Sequence, residues 1–218
     1  MNIALSRVDL LQQLQKQLNS FFLINEKEIE ILETNLDQVL ERCEYCFSRS
    51  PNKYFHNKEG ETVFSPYIST QYVIFLYYYA NTIFKLSKNS NELCDKLYYL
   101  NKIMNSVDIY FAVELPDFFM VEHPVGSVMG RAQYSNGFQF FQNCTVGGVI
   151  LKDGILAYPK IGENVMMFAA SSIIGNCLIG DNVSLGAGAL IKNQNIPSDV
   201  IVFGSSPSLI IKEKKSKR

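Results

Sequence analysis

In the C-terminal half of the chain, apolar residues fall six apart. Ile161, Met167, Ile173, Ile179, Leu185 and Ile191 keep this beat, and Gly162, Gly180 and Gly186 follow three of them. A repeat of six is neither the 3.6 of a helix nor the two of a strand. It fits a solenoid in which each hexad is one short flat strand and one turn, three hexads close a triangular coil, and coils stack. Position one of each hexad points to the axis, and the next residue sits at a corner where glycine suits the geometry. Position five also faces inward and is small: Val165, Ser171, Cys177, Val183 and Ala189. An earlier run, Val128, Tyr134, Phe140 and Val146, keeps the spacing with bulkier fifth positions, Ala132, Phe138, Cys144 and Ile150. That bulk predicts wider or distorted upper coils. Residues 147–160 break the beat and predict a loop protruding from the wall, where solenoids often carry function.

The first half has the helical period instead. Leu11, Leu14, Leu18 and Phe21 make one stripe. Asn25 with Glu28 has the spacing of a capping box and opens a second helix, with Ile29, Leu32, Leu36, Leu40, Cys43 and Phe47 on one face and Ser50-Pro51 at its end. A third helix is expected over 69–86. Asn89 and Glu92 repeat the capping spacing before a fourth, with Leu93, Leu97, Leu100 and Met104 on one face. The pattern changes near Ser106, which places an α-helical domain at 1–106 and the coil domain at 107–218.

With 218 residues, 47% hydrophobic and 19% charged, the chain has material for a sizeable core. Its net charge of -1 gives no reason to expect nucleic acid. The basic run 212–218 reads as a solvated tail. The apolar run 72–84 is shorter than the roughly 20 residues a bilayer needs and reads as a buried helix, so no integral membrane segment is expected. No secretory signal is visible, and five cysteines suit reduced thiols in the cytoplasm. Cys43 and Cys46 form a C-x-x-C inside a helical pattern with no second pair, so no metal is expected. His56, in a polar loop over 52–61, reads as a surface residue.

Several stretches then resemble one family. EHPVGSVMG at 122–130 resembles D-H-A-T-G-x-V-x-G, CTVGG at 144–148 resembles V-T-L-G-G, YPKIG at 158–162 resembles H-P-K-I-G, and 173–191 resembles the closing coils of the serine acetyltransferases. These lie within the left-handed β-helix acyltransferases, and the resemblance covers roughly 108–207. It implies an α+β chain in which an N-terminal α-helical domain precedes a C-terminal left-handed parallel β-helix. It also implies acetyl-CoA as co-substrate and a homotrimer, or a dimer of trimers, with coenzyme A at subunit edges. His123, one of two histidines, matches the catalytic base of acetyl transfer to a hydroxyl, a task suited to an imidazole. Asp108, fifteen residues earlier, matches the carboxylate that orients it, and this spacing suggests adjacent rungs of one wall. Glu122 stands where the family has Asp. Gly148, Ala169 and Ala187 match the coenzyme A groove, and Gly148 is also a neighbour of the developing oxyanion.

Two family positions depart. The second active-site histidine is Tyr158 here, and the arginine before it, which serves the serine carboxylate, is Ala157. Without the guanidinium, the sequence points to an uncharged acceptor, a sugar or glycan hydroxyl held by Tyr158. The alternatives are serine O-acetyltransferase proper and a non-catalytic hexapeptide scaffold. The terminal KEKKSKR speaks against the family's usual docking partner, which takes a terminal isoleucine.

Overall fold

The computed structural model describes residues 1–87, 92–152 and 154–214. Asn89 of the second capping pair and residues 215–218 of the basic tail lie outside them. The chain divides into two units: Met1–Ser106 with Tyr110–Ala112, and Val107–Ile109 with Val113 onward.

The first unit is built on helices α1 (Arg7–Phe21), α2 (Glu26–Phe47), α3 (Ser69–Ser87) and α4 (Glu92–Asn105). Asn25 and Glu28 form the capping box reciprocally, each side chain bonding the other's backbone N–H. α3 is buried without a break from Gln71 to Ile83, because it is apolar all round and its neighbours must cover every face. Most of its polar atoms find partners inside; the Asn81 amide donates to the Phe111 carbonyl at 2.8 Å, while its buried Oδ1 accepts no hydrogen bond. Gln71 donates to the Val63 and Tyr54 carbonyls at 3.0 and 3.2 Å and accepts from Ser65 N–H at 2.7 Å. The Tyr79 hydroxyl donates to the Leu32 carbonyl. Four expected stripe positions are corrected. In α1 the buried residue is Leu10 rather than Leu11, and Phe21 is exposed; Ile29 is half-buried, and Met104 is exposed. The stripes run one residue off or end early because a terminal turn has no neighbour to cover it. His56 is not a plain surface residue: its Nε2–H donates to the Ser50 carbonyl at 2.8 Å, which pins the loop. None of the five cysteines is in a disulfide, and all are buried.

The second unit is a left-handed parallel β-helix whose short strands form three walls. In wall 1, Ile109, Met129, Val146, Ile173 and Ile191 stack in register. In wall 2 the inward column is Val121, Phe140, Met167, Leu185 and Val202. In wall 3 it is Tyr134, Ile161 and Ile179, continued by a bridge to Ile196. These columns are the core, with all but the half-buried Tyr134 buried. The beat of six is one side chain per wall.

Two details of the beat differ from expectation. Met129 is the inward residue and Val128 is exposed, so the first run is one residue out of phase there. The glycines after the beat residues do not supply left-handed backbone. That duty falls three residues after the beat, on Asn164, Ala170, Asn182 and Gly188, with φ of 54°, 59°, 54° and 71°. Gly162, Gly180 and Gly186 are needed for space instead. A Cβ there would fall 2.5 Å from the Asp181 Oδ1, 2.5 Å from the Ser198 N and 2.4 Å from the Phe203 ring.

The loop over 147–160 is an antiparallel hairpin, Val149–Ile150 against Leu156–Ala157. It interrupts the corner between walls 1 and 3, so Ile150 is no inward fifth position but stands 69% exposed. The wall 2 strand Val200–Ser205 pairs with Ser208–Glu213, which closes the last coil with a second hairpin.

Candidate functional site

The corner between walls 2 and 1 repeats coil after coil, and the backbone ladder fixes its columns. Glu122 N–H bonds the Phe140 carbonyl, Phe141 N–H that of Met167, Phe168 N–H that of Leu185, and Gly186 N–H that of Val202. Glu122, Phe141, Phe168, Gly186 and Phe203 therefore form one outward column. The next bonds, Asn143 N–H to Val125, Ala170 N–H to Gln142 and Gly188 N–H to Ala169, align Val125, Gln142, Ala169 and Ala187 in a second. In the lower coils these columns are adjacent in sequence. In the uppermost coil His123 and Pro124 come between them as a two-residue insertion.

That insertion throws His123 outward. Its backbone has φ 49°, its carbonyl accepts from Val125 N–H at 2.7 Å in a tight turn, and its side chain is exposed while Pro124 is buried. Ser127, buried, holds the bulge in place. Its N–H bonds the Pro124 carbonyl at 3.0 Å, its hydroxyl donates to the Phe141 carbonyl at 2.7 Å, and it accepts from Cys144 N–H at 3.1 Å. Sequence reading passed over Ser127. The signal was there, a small hydroxyl residue in a stretch otherwise apolar or glycine, but many such residues merely end strands.

Asp108 is half-buried on wall 1, and its N–H bonds the Ser127 carbonyl at 2.8 Å. Its register partner in the next coil is Val128, twenty residues on, not His123. The two are thus not rungs of one wall, as their spacing of fifteen suggested; the insertion and the excursion before Phe119 lengthen the first coil. Asp108 lies instead on the wall into which the His123 corner leads. Glu122 stands beside His123, half-buried, at the head of the aromatic column.

Gly148 and Tyr158 occupy the other edge, between walls 1 and 3, as the two posts of the hairpin. A Cβ on Gly148 would lie 2.7 Å from two Tyr158 ring carbons and 2.9 Å from the Ala157 carbonyl, so the tyrosine ring lies against bare backbone. Within one chain, then, His123, Glu122, Ala169 and Ala187 share one edge, Gly148 and Tyr158 share another, and wall 1 with Asp108 lies between. Among the described residues no group of three or more His, Cys, Asp or Glu is placed to hold a metal ion, and no helix is long and apolar enough to cross a membrane.

Comparison with known proteins gives one answer at three levels. The bacterial transferase hexapeptide family (six repeats) matches residues 158–193. The chain is 34% identical over 114 residues to the serine acetyltransferase of Buchnera aphidicola from Schizaphis graminum, covering 52% of this chain and 43% of that protein. It is 29% identical over 131 residues to that of Staphylococcus epidermidis, covering 59% of this chain and 60% of that one. The matches thus span about half the length of these curated relatives. Among solved structures, the serine acetyltransferase of Neisseria gonorrhoeae superimposes with a TM-score of 0.66 at 23% identity over 87% of this chain and 72% of that one. A serine acetyltransferase in complex with CoA superimposes with a TM-score of 0.64 at 19% identity over 85% of this chain and 74% of that one. At such identities the superpositions speak for the fold. The chain is thus similar to serine acetyltransferases in sequence over about half its length and in fold, and its residues 158–193 match the hexapeptide-repeat family.

Proposed function

We propose that the chain is an acetyl-CoA-dependent O-acetyltransferase with His123 as general base. The observation that carries this reading is the corner insertion, which presents an imidazole outward above a column that continues through Val125 and Gln142 to the small residues Ala169 and Ala187. The thioester co-substrate supplies the acetyl group. His123 takes the proton from the acceptor hydroxyl as its oxygen attacks, and returns it to the departing thiolate, which leaves as the free thiol. Asp108 is the candidate acceptor for the second ring nitrogen, fixing the tautomer and stabilising the imidazolium. Backbone around Gly148 is the candidate donor to the developing oxyanion.

The acceptor reading shifts from that of the sequence. The relatives are serine acetyltransferases, which supports L-serine over a sugar as the acceptor of first choice. The second reading, an uncharged sugar or glycan hydroxyl, rests on Ala157, which stands where the resemblance places an arginine for the carboxylate, and on Tyr158; the edge keeps a guanidinium in Arg131, in the corner between Val128–Met129 and Gln133–Tyr134. Turnover of L-serine is compared with nucleotide sugars and oligosaccharides by release of free thiol from acetyl-CoA. Preference for serine is expected, preference for a sugar selects the second reading, and no release with any acceptor overturns both.

The two edges also bear on assembly. Wall 1 separates them within a chain, whereas rotation about an axis parallel to the coil brings the Tyr158 edge of one copy to the His123 edge of the next. A cyclic trimer with a site at each junction follows from this reading. Thiols with no disulfide among them suit a cytoplasmic enzyme.

A further inference from the structure

In the coil above the hairpin, the corner between walls 1 and 3 is short and its backbone is held at both ends. Gly130 N–H bonds the Val146 carbonyl at 2.8 Å, the Gly130 carbonyl accepts from the Tyr134 hydroxyl at 2.7 Å, and Gln133 N–H bonds the Pro159 carbonyl at 3.0 Å. Between these fixed points stand Arg131 and Ala132. Carrying the wall 1 register forward from Met129 and Val146 sets Arg131 over Gly148. Carrying the wall 3 register back from Gln133 and Lys160 sets it over Tyr158. Both posts of the hairpin thus lie beneath one arginine.

That arginine has no competing task. It is exposed and makes no ion pair among the described residues, so nothing in the chain neutralises its charge. Of the other cations on this edge, Lys160 belongs to the outward column of wall 3 with Gln133 and Leu178, and Lys152 lies in the turn of the hairpin. A planar fork of donors meets a carboxylate with two parallel bonds, which a lysine does not reproduce. The level also suits. His123 and Arg131 sit at consecutive corners of one coil, with only the wall 1 strand Val128–Met129 between them. Rotation about an axis parallel to the coil therefore keeps Arg131 of one copy level with the His123 corner of the next.

We propose that Arg131 binds the carboxylate of the acceptor, and so selects a hydroxyl compound with a free carboxylate over a neutral sugar. This rests on the acetyl transfer proposed above and deepens it by naming the residue that sets the acceptor class. Ala157 leaves the carboxylate unserved from the hairpin, and Arg131 serves it from the coil above. The other anion in the reaction is a phosphate of the coenzyme, which the same fork would fit; the test separates the two.

Release of free thiol from acetyl-CoA is measured for wild type, Arg131→Ala and Arg131→Lys with L-serine and with L-serinamide, which keeps the hydroxyl and the amine but not the carboxylate. Wild type is expected to prefer serine in kcat/KM. In Arg131→Ala that preference is expected to fall about 10²-fold, through the KM for serine rather than kcat, and Arg131→Lys to lie between the two. Because the side chain is exposed, the melting temperature is expected to stay within a few degrees. An intact preference in Arg131→Ala overturns the assignment and leaves the acetyl transfer standing. So does a raised KM for acetyl-CoA with the serine preference kept, which gives the guanidinium to a phosphate, and so does a wild type that turns over serinamide as well as serine. No thiol release with any acceptor overturns the underlying reading and this assignment with it.

Discussion

A left-handed backbone at a residue with a side chain is held against its own preference, and function often accounts for it. At the other corners the role falls on asparagine, alanine, glycine or aspartate; at the uppermost coil it also falls on His123. The Ser127 network is what over-determines that conformation. His123→Ala is expected to lower kcat by about 10²–10⁴-fold while the melting temperature stays within a few degrees, because the exposed ring supports none of the core columns. Unchanged kcat in a folded variant removes the base assignment. The histidine was legible in the sequence because the chain has only one other, and that one serves a loop. Its proposed partner, Asp108, was harder to place: linear spacing assumes equal coils, and the first coil is longer by an insertion that no periodicity announces.

Among the elements, the hexads were the most readable, since one apolar residue must meet the axis on each wall. The phase slip at Val128 and Met129 came from two adjacent apolar residues, where burial depended on corner length. The glycines show a subtler limit: their recurrence was visible, but a need for left-handed backbone and a need for empty space leave the same letter. α3 gives an element-scale prediction. Burial pushes the Cys43 thiol and the Tyr72, Tyr78 and Tyr79 phenols above their ordinary values of about 9 and 10. In the unfolded chain these groups ionise at their ordinary values, so only the unfolded state gains from rising alkalinity. Stability of the helical unit is therefore expected to hold up to about pH 8.5 and then fall, by about 1.4 kcal/mol per pH unit for each group once its ordinary value is passed. Urea unfolding followed by helical circular dichroism between pH 7 and 11 checks this; a midpoint unchanged across that range contradicts the buried phenols.

At the scale of the whole molecule, the candidate residues lie on two edges of a prism; the resemblance implied coenzyme A at subunit edges, but which residues fall on which edge was not legible from motif order. The three-walled winding puts Gly148 and Tyr158 at one corner and His123 at another. If neighbouring chains complete each other's sites, two defects are complementary. His123→Ala and Gly148→Val, the second displacing the Tyr158 ring, are each expected to be nearly inactive alone. Mixed trimers formed by co-expression regain about a quarter of wild-type turnover, the share of junctions that receive an intact edge from both sides under random assembly. Absence of recovery in mixed trimers places the whole site within one chain.

The constant rise of the winding has a consequence for how such a molecule can change. Every turn must close at the same length, so residues are gained or lost without cost to the stack only at the vertices. Two of the departures from six in the upper turns lie there: one lifts out the imidazole, the other becomes the hairpin. Lineages descending from this scaffold are free to retune what they recognise at those vertices while the interior ladder beneath stays unaltered.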